Sequence, residues 1–337
     1  MFSAFTYTLE KQRKPDADNM SIALLIGIIK TARPQQWLKN IAVYAALVFS
    51  GFFFYDPVDA PSYFMTVSYA FFIFCILTSS IYYINDIVDV EADKKHPFKK
   101  KRPIASGILS KKLAMVIAIL GLATAFILSL QLSFFFQLLV VGYAVLQFWY
   151  STKLKHIPIL DISTIATGFL IRIYAGSVVV NLHMSVWFLL TVISASLFLA
   201  VGKRQSERTL LQGNSGSVGE TRKILTRYSQ RLLDQYTGMF AMATWLTYAL
   251  FAFQNEISPP DSFYADVYGS LPKALHSQKL LMLSVPLVIF GVMRYLQLIY
   301  ESNQGESPEK VLMQDRPLKI TVGIFGALVM VIIYILT

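Results

Sequence analysis

Apolar runs of about 20 residues recur along this chain, and a run of that length crosses the ~30 Å hydrocarbon core of a bilayer as one helix. Inside hydrocarbon each backbone N–H and C=O must find its partner within the same segment, so such runs fold as a helical bundle. Nine spans are expected, at about 40–55, 62–84, 113–131, 134–150, 158–180, 186–202, 237–254, 280–300 and 319–337. The expected class is all-α: a polytopic membrane helical bundle of about nine transmembrane helices. Composition agrees, because only 15% of residues are charged, against about 25% in soluble domains.

Residues 1–20 carry Lys11, Arg13, Lys14, Asp16 and Asp18 and predict a short solvated tail. No apolar stretch followed by a small-residue cleavage site marks them as a secretory signal. From residue 21 onward a single transmembrane domain is expected. Its first stretch, Ser21 to Ile29, is too short to span, and predicts either an interfacial helix or the start of a broken first helix. The one cysteine, Cys75, lies inside an apolar run, which excludes a disulfide framework or a thiolate metal site.

Basic loops stay cytoplasmic, and here they fall on one side. Lys94, Lys95, Lys99, Lys100, Lys101 and Arg102 follow the second span. Lys153 and Lys155 follow the fourth, and Lys203, Arg204 and Arg208 the sixth. This predicts a multi-pass protein of the cytoplasmic membrane with its N-terminus inside, and its net charge of +10 calls for no nucleic acid. Topology alone accounts for many of these cations. It does not account for Arg172, which falls in mid-span, where a charge is costly and marks function.

One stretch is far more polar than the rest: Asn85-Asp86-Ile87-Val88-Asp89-Val90-Glu91-Ala92-Asp93, running into the lysine cluster. At about 100° per residue of helix, Asp86, Asp89 and Asp93 lie within roughly 60° of one another, with Tyr82 and Asn85 on the same side and Glu91 nearly opposite. Three close carboxylates stay ionised only with positive charge between them. Oxygen ligands that leave room for substrate oxygens suit Mg²⁺, which takes one or two protein carboxylates plus phosphates. Lys99, Lys100, Lys101 and Arg102 are placed to grip phosphate oxygens beyond the metal, and Pro103 and Gly107 mark the turn into the next span. The plain alternative is a solvated acidic helix end beside its counterions. His96, before Pro97, reads as a turn residue, and Gln212 to Ser217 as a flexible linker.

These residues resemble a known family. Asn85-Asp86-x-x-Asp89-x-x-x-Asp93, followed by Lys101-Arg102-Pro103-Ile104-Ala105-Ser106-Gly107, is similar to the first signature of the UbiA-type prenyltransferase superfamily. The resemblance implies a nine-helix membrane enzyme that uses Mg²⁺ and a diphosphate substrate. The aromatic prenyltransferases of that superfamily carry a second Asp-rich motif after the sixth span. Here that region reads Gly202-Lys203-Arg204-Gln205-Ser206-Glu207-Arg208, with cations in place of acids. Arg33-Pro34-Gln35-Gln36-Trp37-Leu38-Lys39-Asn40, Leu154-Lys155-His156 leading to Asp161, Phe169-Leu170-Ile171-Arg172, and Pro308 to Arg316 resemble the decaprenyl-phosphate phosphoribosyltransferase branch.

That branch implies transfer of 5-phosphoribose from phosphoribosyl diphosphate to a polyprenyl phosphate, with diphosphate leaving. In the resembling family the product feeds synthesis of lipid-linked arabinose for the cell envelope. Asn85 and Asp89 are then expected to hold Mg²⁺, with Asp86 and Asp93 near. Lys39, Lys99, Lys101 and Arg102 are expected at donor phosphates, and Lys155, Arg172, Lys203 and Arg204 at the acceptor phosphate. Tyr82 is expected to bond a phosphate or a ribose hydroxyl. A phosphate nucleophile is already an anion near neutral pH, so no general base is needed. Two alternatives stand beside this reading: an aromatic prenyltransferase making a quinone or haem precursor, and an ion-coupled transporter. Membrane lipids are expected partners, and a homo-oligomer is left open.

Overall fold

A computed structural model of the chain describes residues 17–95, 99–213, 227–255, 279–301, 311–312 and 314–335. Among the described residues every regular element is helical. In chain order these are α1 (Ala17–Ala32), a 3-10 segment (Pro34–Tyr44), α2 (Ala45–Phe49), α3 (Tyr63–Val88), α4 (Val90–Lys95), α5 (Lys111–Ser129) and α6 (Phe134–Thr152). They continue with α7 (Leu160–Val179), α8 (Val186–Gly213), α9 (Gln230–Gln254), α10 (Val285–Tyr300) and α11 (Arg316–Tyr334). His96, Pro97, and the stretch Asn214 to Ser217 lie outside the described residues.

Seven described helical stretches are long and apolar enough to cross a membrane: α3, α5, α6, α7, α8 to Arg208, α10 with its leading 3-10 turn, and α11. This is a multi-pass membrane protein. Of the nine expected spans, two are not among the seven. The stretch near 40–55 is divided between the 3-10 segment and the five-residue α2. The stretch at 237–254 lies within α9, whose first turns carry Gln230, Arg231, Asp234 and Gln235.

Local chemistry sets several boundaries. Proline has no N–H and restricts the residue before it. Accordingly α1 stops at Ala32, and Arg33 takes a left-handed backbone with φ 52° before Pro34. Side-chain oxygens cap five of the described helix starts by accepting a backbone N–H: Ser62 from Met65, Ser110 from Leu113, Ser133 from Phe136, Ser229 from Leu232 and Asp315 from Leu318.

The chain packs as two compact units, residues 1–35 with 76–124, and residues 36–75 with 125–337. In the first, Tyr83, Val90, Ile104, Leu109, Ala114 and Ala118 form the core against Leu24 and Ile28 of α1. Tyr83 Oη donates to the Ile28 carbonyl at 2.7 Å, and Ser79 Oγ to that of Ala32 at 3.0 Å. In the second unit, α8 lies along α9 and α7, and α7 along α6 and α2. Lipid gives no hydrophobic drive between helices, so close backbone approach through small residues matters. The buried face of α7 supplies Ala166, Gly168, Ala175, Gly176 and Ser177, and Gly176 sits directly against the Val43 carbonyl.

Candidate active site

In the first unit, α3 delivers the acidic ridge at its C-terminal end. Helical hydrogen bonds continue through the break at Asp89, from Asp89 N to the Asn85 carbonyl at 2.9 Å and from Asp93 N to that of Asp89 at 2.8 Å. Asp86 and Asp93 are therefore on one face, and both are buried, at 3% and 4% exposure. Tyr82, Asn85 and Asp89 are half-buried beside them, while Glu91 is exposed. Glu91 pairs with Lys94 and Lys111, each at 3.2 Å. Those two ammonium groups, Lys111 first, hold its carboxyl below the usual range, and it takes no part in the ridge.

Two guanidinium groups compensate the buried carboxylates. Arg102 Nη1 bonds Asp86 Oδ1 at 3.1 Å and Asp93 Oδ2 at 2.7 Å. Arg33 closes on the same Asp86 oxygen with Nη2, and its guanidinium carbon lies 4.8 Å from the centre of the Tyr82 ring. Such stacking further stabilises the cation. Arg102 thus reaches the ridge as the lysine-rich stretch predicts, yet it meets protein carboxylates. Arg33 was not among the expected site residues. No sequence pattern marked it; the structure shows it before Pro34 at positive φ, where the surroundings hold the backbone.

Lys99 and Lys101 form a single 3-10 turn, Lys99 half-buried and Lys101 exposed. The turn predicted after Pro103 is present: Leu109 N bonds the Pro103 carbonyl at 3.0 Å, and Gly107 has φ 84°, a conformation that suits glycine. Among the described residues no group of three or more Asp, Glu, His or Cys could hold a metal alone. Beside the arginine-bonded pair stand two half-buried oxygen donors, Asn85 and Asp89. They fit Mg²⁺ with substrate phosphate supplying the other oxygens.

The remaining expected residues belong to the second unit. Lys39 is half-buried in the 3-10 segment, next to buried Asn40. Arg172, 6% exposed, is held by protein on three sides. Nε donates to Asn40 Oδ1 at 2.9 Å, Nη1 to the Gly168 carbonyl at 2.9 Å and Nη2 to Tyr143 Oη at 2.6 Å. The rings of Tyr143 and Phe169 lie against it. Its visible work is to tie α7 to α6 and to the 3-10 segment that carries Lys39.

Arg204 departs most from expectation. Its side chain has no exposure at all. Nε bonds Asp161 Oδ2 at 2.7 Å, Nη1 bonds Glu207 Oε2 at 2.7 Å, and Nη2 bonds Tyr150 Oη at 3.3 Å. Asp161 is equally buried, and its other oxygen accepts from Tyr228 Oη at 2.6 Å. The same hydroxyl accepts the Ile159 N–H at 2.6 Å. Burial first, then donation to Asp161, pushes the Tyr228 phenol above its ordinary range. Ile159 has φ 71°, and a β-branched residue held there costs about 1–3 kcal/mol. Lys155 and Lys203 are each half-buried.

The profile of the UbiA prenyltransferase family matches residues 41–315. The chain is 36% identical to the decaprenyl-phosphate phosphoribosyltransferase of Mycolicibacterium smegmatis, over 90% of this chain and 92% of that one. It is 33% identical to the Corynebacterium glutamicum protein of the same name, over 97% and 91%. Among solved structures, a UbiA homologue from Archaeoglobus fulgidus bound to GPP and Mg²⁺ superposes with a TM-score of 0.63 at 18% identity. That match covers 91% of this chain and 99% of the other.

Proposed function

The chain belongs to the UbiA prenyltransferase family, and from that premise we propose that it transfers 5-phosphoribose from phosphoribosyl diphosphate to a polyprenyl phosphate. The bond from ribose C1 to the diphosphate oxygen breaks, and a bond from C1 to an oxygen of the lipid phosphate forms. Diphosphate leaves with the electron pair. The nucleophile is an anion near neutral pH, so no proton has to be removed and no His–carboxylate pair is required.

The charge balance of the acidic ridge carries this reading. Arg33 and Arg102 pair with Asp86 and Asp93, and the neighbouring Asn85 and Asp89 are assigned to one metal with the donor diphosphate. When bound, Mg²⁺ supplies charge stabilisation to the departing diphosphate. Lys99 and Lys101 take the remaining donor oxygens, and Tyr82 faces the ribose. A donor with a second phosphate on C5 and an acceptor with a third both ask for cations. Lys39, Lys155 and Lys203 are the candidates for them, and Lys203 stands in the segment where an aromatic prenyltransferase would carry a second acidic motif. The names of the relatives at 33% and 36% identity support the same assignment. The basic loops favour a site on the cytoplasmic side of the cell membrane, and the lipid-linked phosphoribose product suits synthesis of an arabinose donor for the cell envelope.

The test is an assay of detergent-purified protein with Mg²⁺, phosphoribosyl diphosphate and decaprenyl phosphate. Diphosphate release that requires the lipid phosphate supports the proposal. Release only when a prenyl diphosphate meets an aromatic acid assigns the chain to the aromatic prenyltransferases instead. No release from either pair removes both enzymatic readings.

A further inference from the structure

We infer that Asp161, Arg204 and Tyr228 form a brace that positions the α6–α7 corner and, through it, Lys155, without touching substrate. The inference rests on the proposed reaction for its purpose, though the brace itself is read from geometry alone.

The corner is short. α6 ends at Thr152 and α7 begins at Leu160, so residues 153–159 make the whole connection, with Lys155 in its single 3-10 turn. One guanidinium closes both ends of it. Arg204 bonds Tyr150, two residues before the end of α6, and Asp161, in the first turn of α7. A single hydroxyl holds the α7 end of the connection: Tyr228 accepts the N–H of Ile159, the residue at positive φ, while donating to Asp161. A backbone in that region persists where its surroundings over-determine it, and these two bonds on one phenol oxygen do so.

Charge decides against a direct role for Arg204 at a phosphate. Among the described residues, the Arg204 guanidinium bonds two carboxylates, Asp161 and Glu207. Its donors are taken up by these partners and Tyr150, and Arg204 and Asp161 have no exposed surface to offer an anion. The cations of this region that the proposed reaction assigns to a phosphate are the half-buried Lys155 and Lys203. A buried ion pair is weak support for stability as such, because apolar replacements of similar volume often match it. Its use here is geometric, fixing where the corner sits.

Tyr228→Phe keeps the packed ring and removes both hydroxyl bonds. Two measurements test the brace. The first needs no turnover: amine-reactive labelling of Lys155, followed by mass spectrometry on full-length protein in detergent without substrate. The Tyr228→Phe variant is expected to label at a rate changed at least threefold, with a melting temperature close to that of the parent. An unchanged rate overturns the brace. The second is a double-mutant cycle on diphosphate release. Tyr228→Phe and Lys155→Gln are each expected to lower kcat/KM about tenfold or more, and the double variant to be little worse than Lys155→Gln alone, because the hydroxyl acts through that lysine. Losses that multiply show a merely structural hydroxyl and overturn the positioning role. If the parent releases no diphosphate from this substrate pair, the proposed reaction falls, while the labelling result still decides the brace.

Discussion

Gly176 of α7 packs against the backbone carbonyl of Val43, so closely that even a methyl group has nowhere to go. The contact fixes α7 to the end of the 3-10 segment, one turn along from the Arg172–Asn40 hydrogen bond. In lipid such backbone approach takes the place of hydrophobic association. Ala at 176 must push the two elements apart, and overpacking of this kind costs about 1–3 kcal/mol. Gly176→Ala is therefore expected to lower the melting temperature in detergent by several degrees. Gly142→Ala on α6 is the control, because nothing lies within 4 Å of its added methyl. It should melt at or slightly above the parent temperature, since alanine favours helix.

The arginines on the acidic ridge are not equivalent. Arg102 serves two carboxylates, Asp86 and Asp93, whereas Arg33 serves Asp86 alone. Removing one partner of a buried pair leaves an uncompensated charge, which costs about 3–5 kcal/mol when burial is complete. Both arginines are 27% exposed, so a smaller loss is expected, about 1–3 kcal/mol. Arg102→Gln should lower the melting temperature more than Arg33→Gln, and the double variant should exceed the sum, because Asp86 then has neither. Equal melting temperatures for the two single variants would contradict this ordering.

The acidic ridge was legible in the sequence because its residues are near neighbours on one helix, where spacing alone fixes the face. Glu91 was placed opposite the ridge by the same rule and is found exposed. Arg33 was not legible, because its partner Asp86 lies 53 residues away, and spacing says nothing about contacts at that distance. The fate of Arg204 was hidden for the same reason. Its burial depends on Asp161, 43 residues earlier, and on Tyr150 still further back, and a run of cations does not reveal which one is withdrawn. The stretch near 40–55 does not form one long α-helix, because hydropathy is blind to backbone geometry: Pro34 follows the end of α1, and the chain continues as 3-10 helix.

Asp315 gives a pH dependence with a definite sign. Its carboxylate accepts from Arg294 at 2.7 and 3.2 Å and caps α11 by accepting the Leu318 N–H at 2.9 Å. The Arg294 hydrogen bond, with help from the Leu318 N–H, holds its carboxyl below the usual range. A depressed folded-state value means that the stabilisation is present above the unfolded value, about 3.9, and is lost as pH falls through the folded value. Asp315→Asn keeps a capping oxygen but loses the charge. It should melt below the parent at pH 6–8, and the gap should close below about pH 4. Asp315→Ala, which removes the cap as well, should cost about 0.5–2 kcal/mol and stay less stable at every pH. A parent–Asn gap that widens in acid would refute the assignment.

The ridge carboxylates should separate into two kinds when metal is titrated. Asp89 is half-buried beside Asn85, whereas Asp93 is buried and bonded to Arg102. If Asn85 and Asp89 hold Mg²⁺, Asp89→Ala removes the only charged ligand of the pair. It should abolish metal-dependent diphosphate release. Asn85→Ala removes a neutral ligand and should raise the Mg²⁺ concentration for half-maximal release. Asp93→Asn should act in the opposite pattern, with a lower melting temperature from the lost Arg102 pair. Its Mg²⁺ midpoint should shift by about 10–100-fold at most, the usual effect of a residue that only supports a ligand. Full activity of Asp89→Ala at ordinary Mg²⁺ would move the metal off this pair.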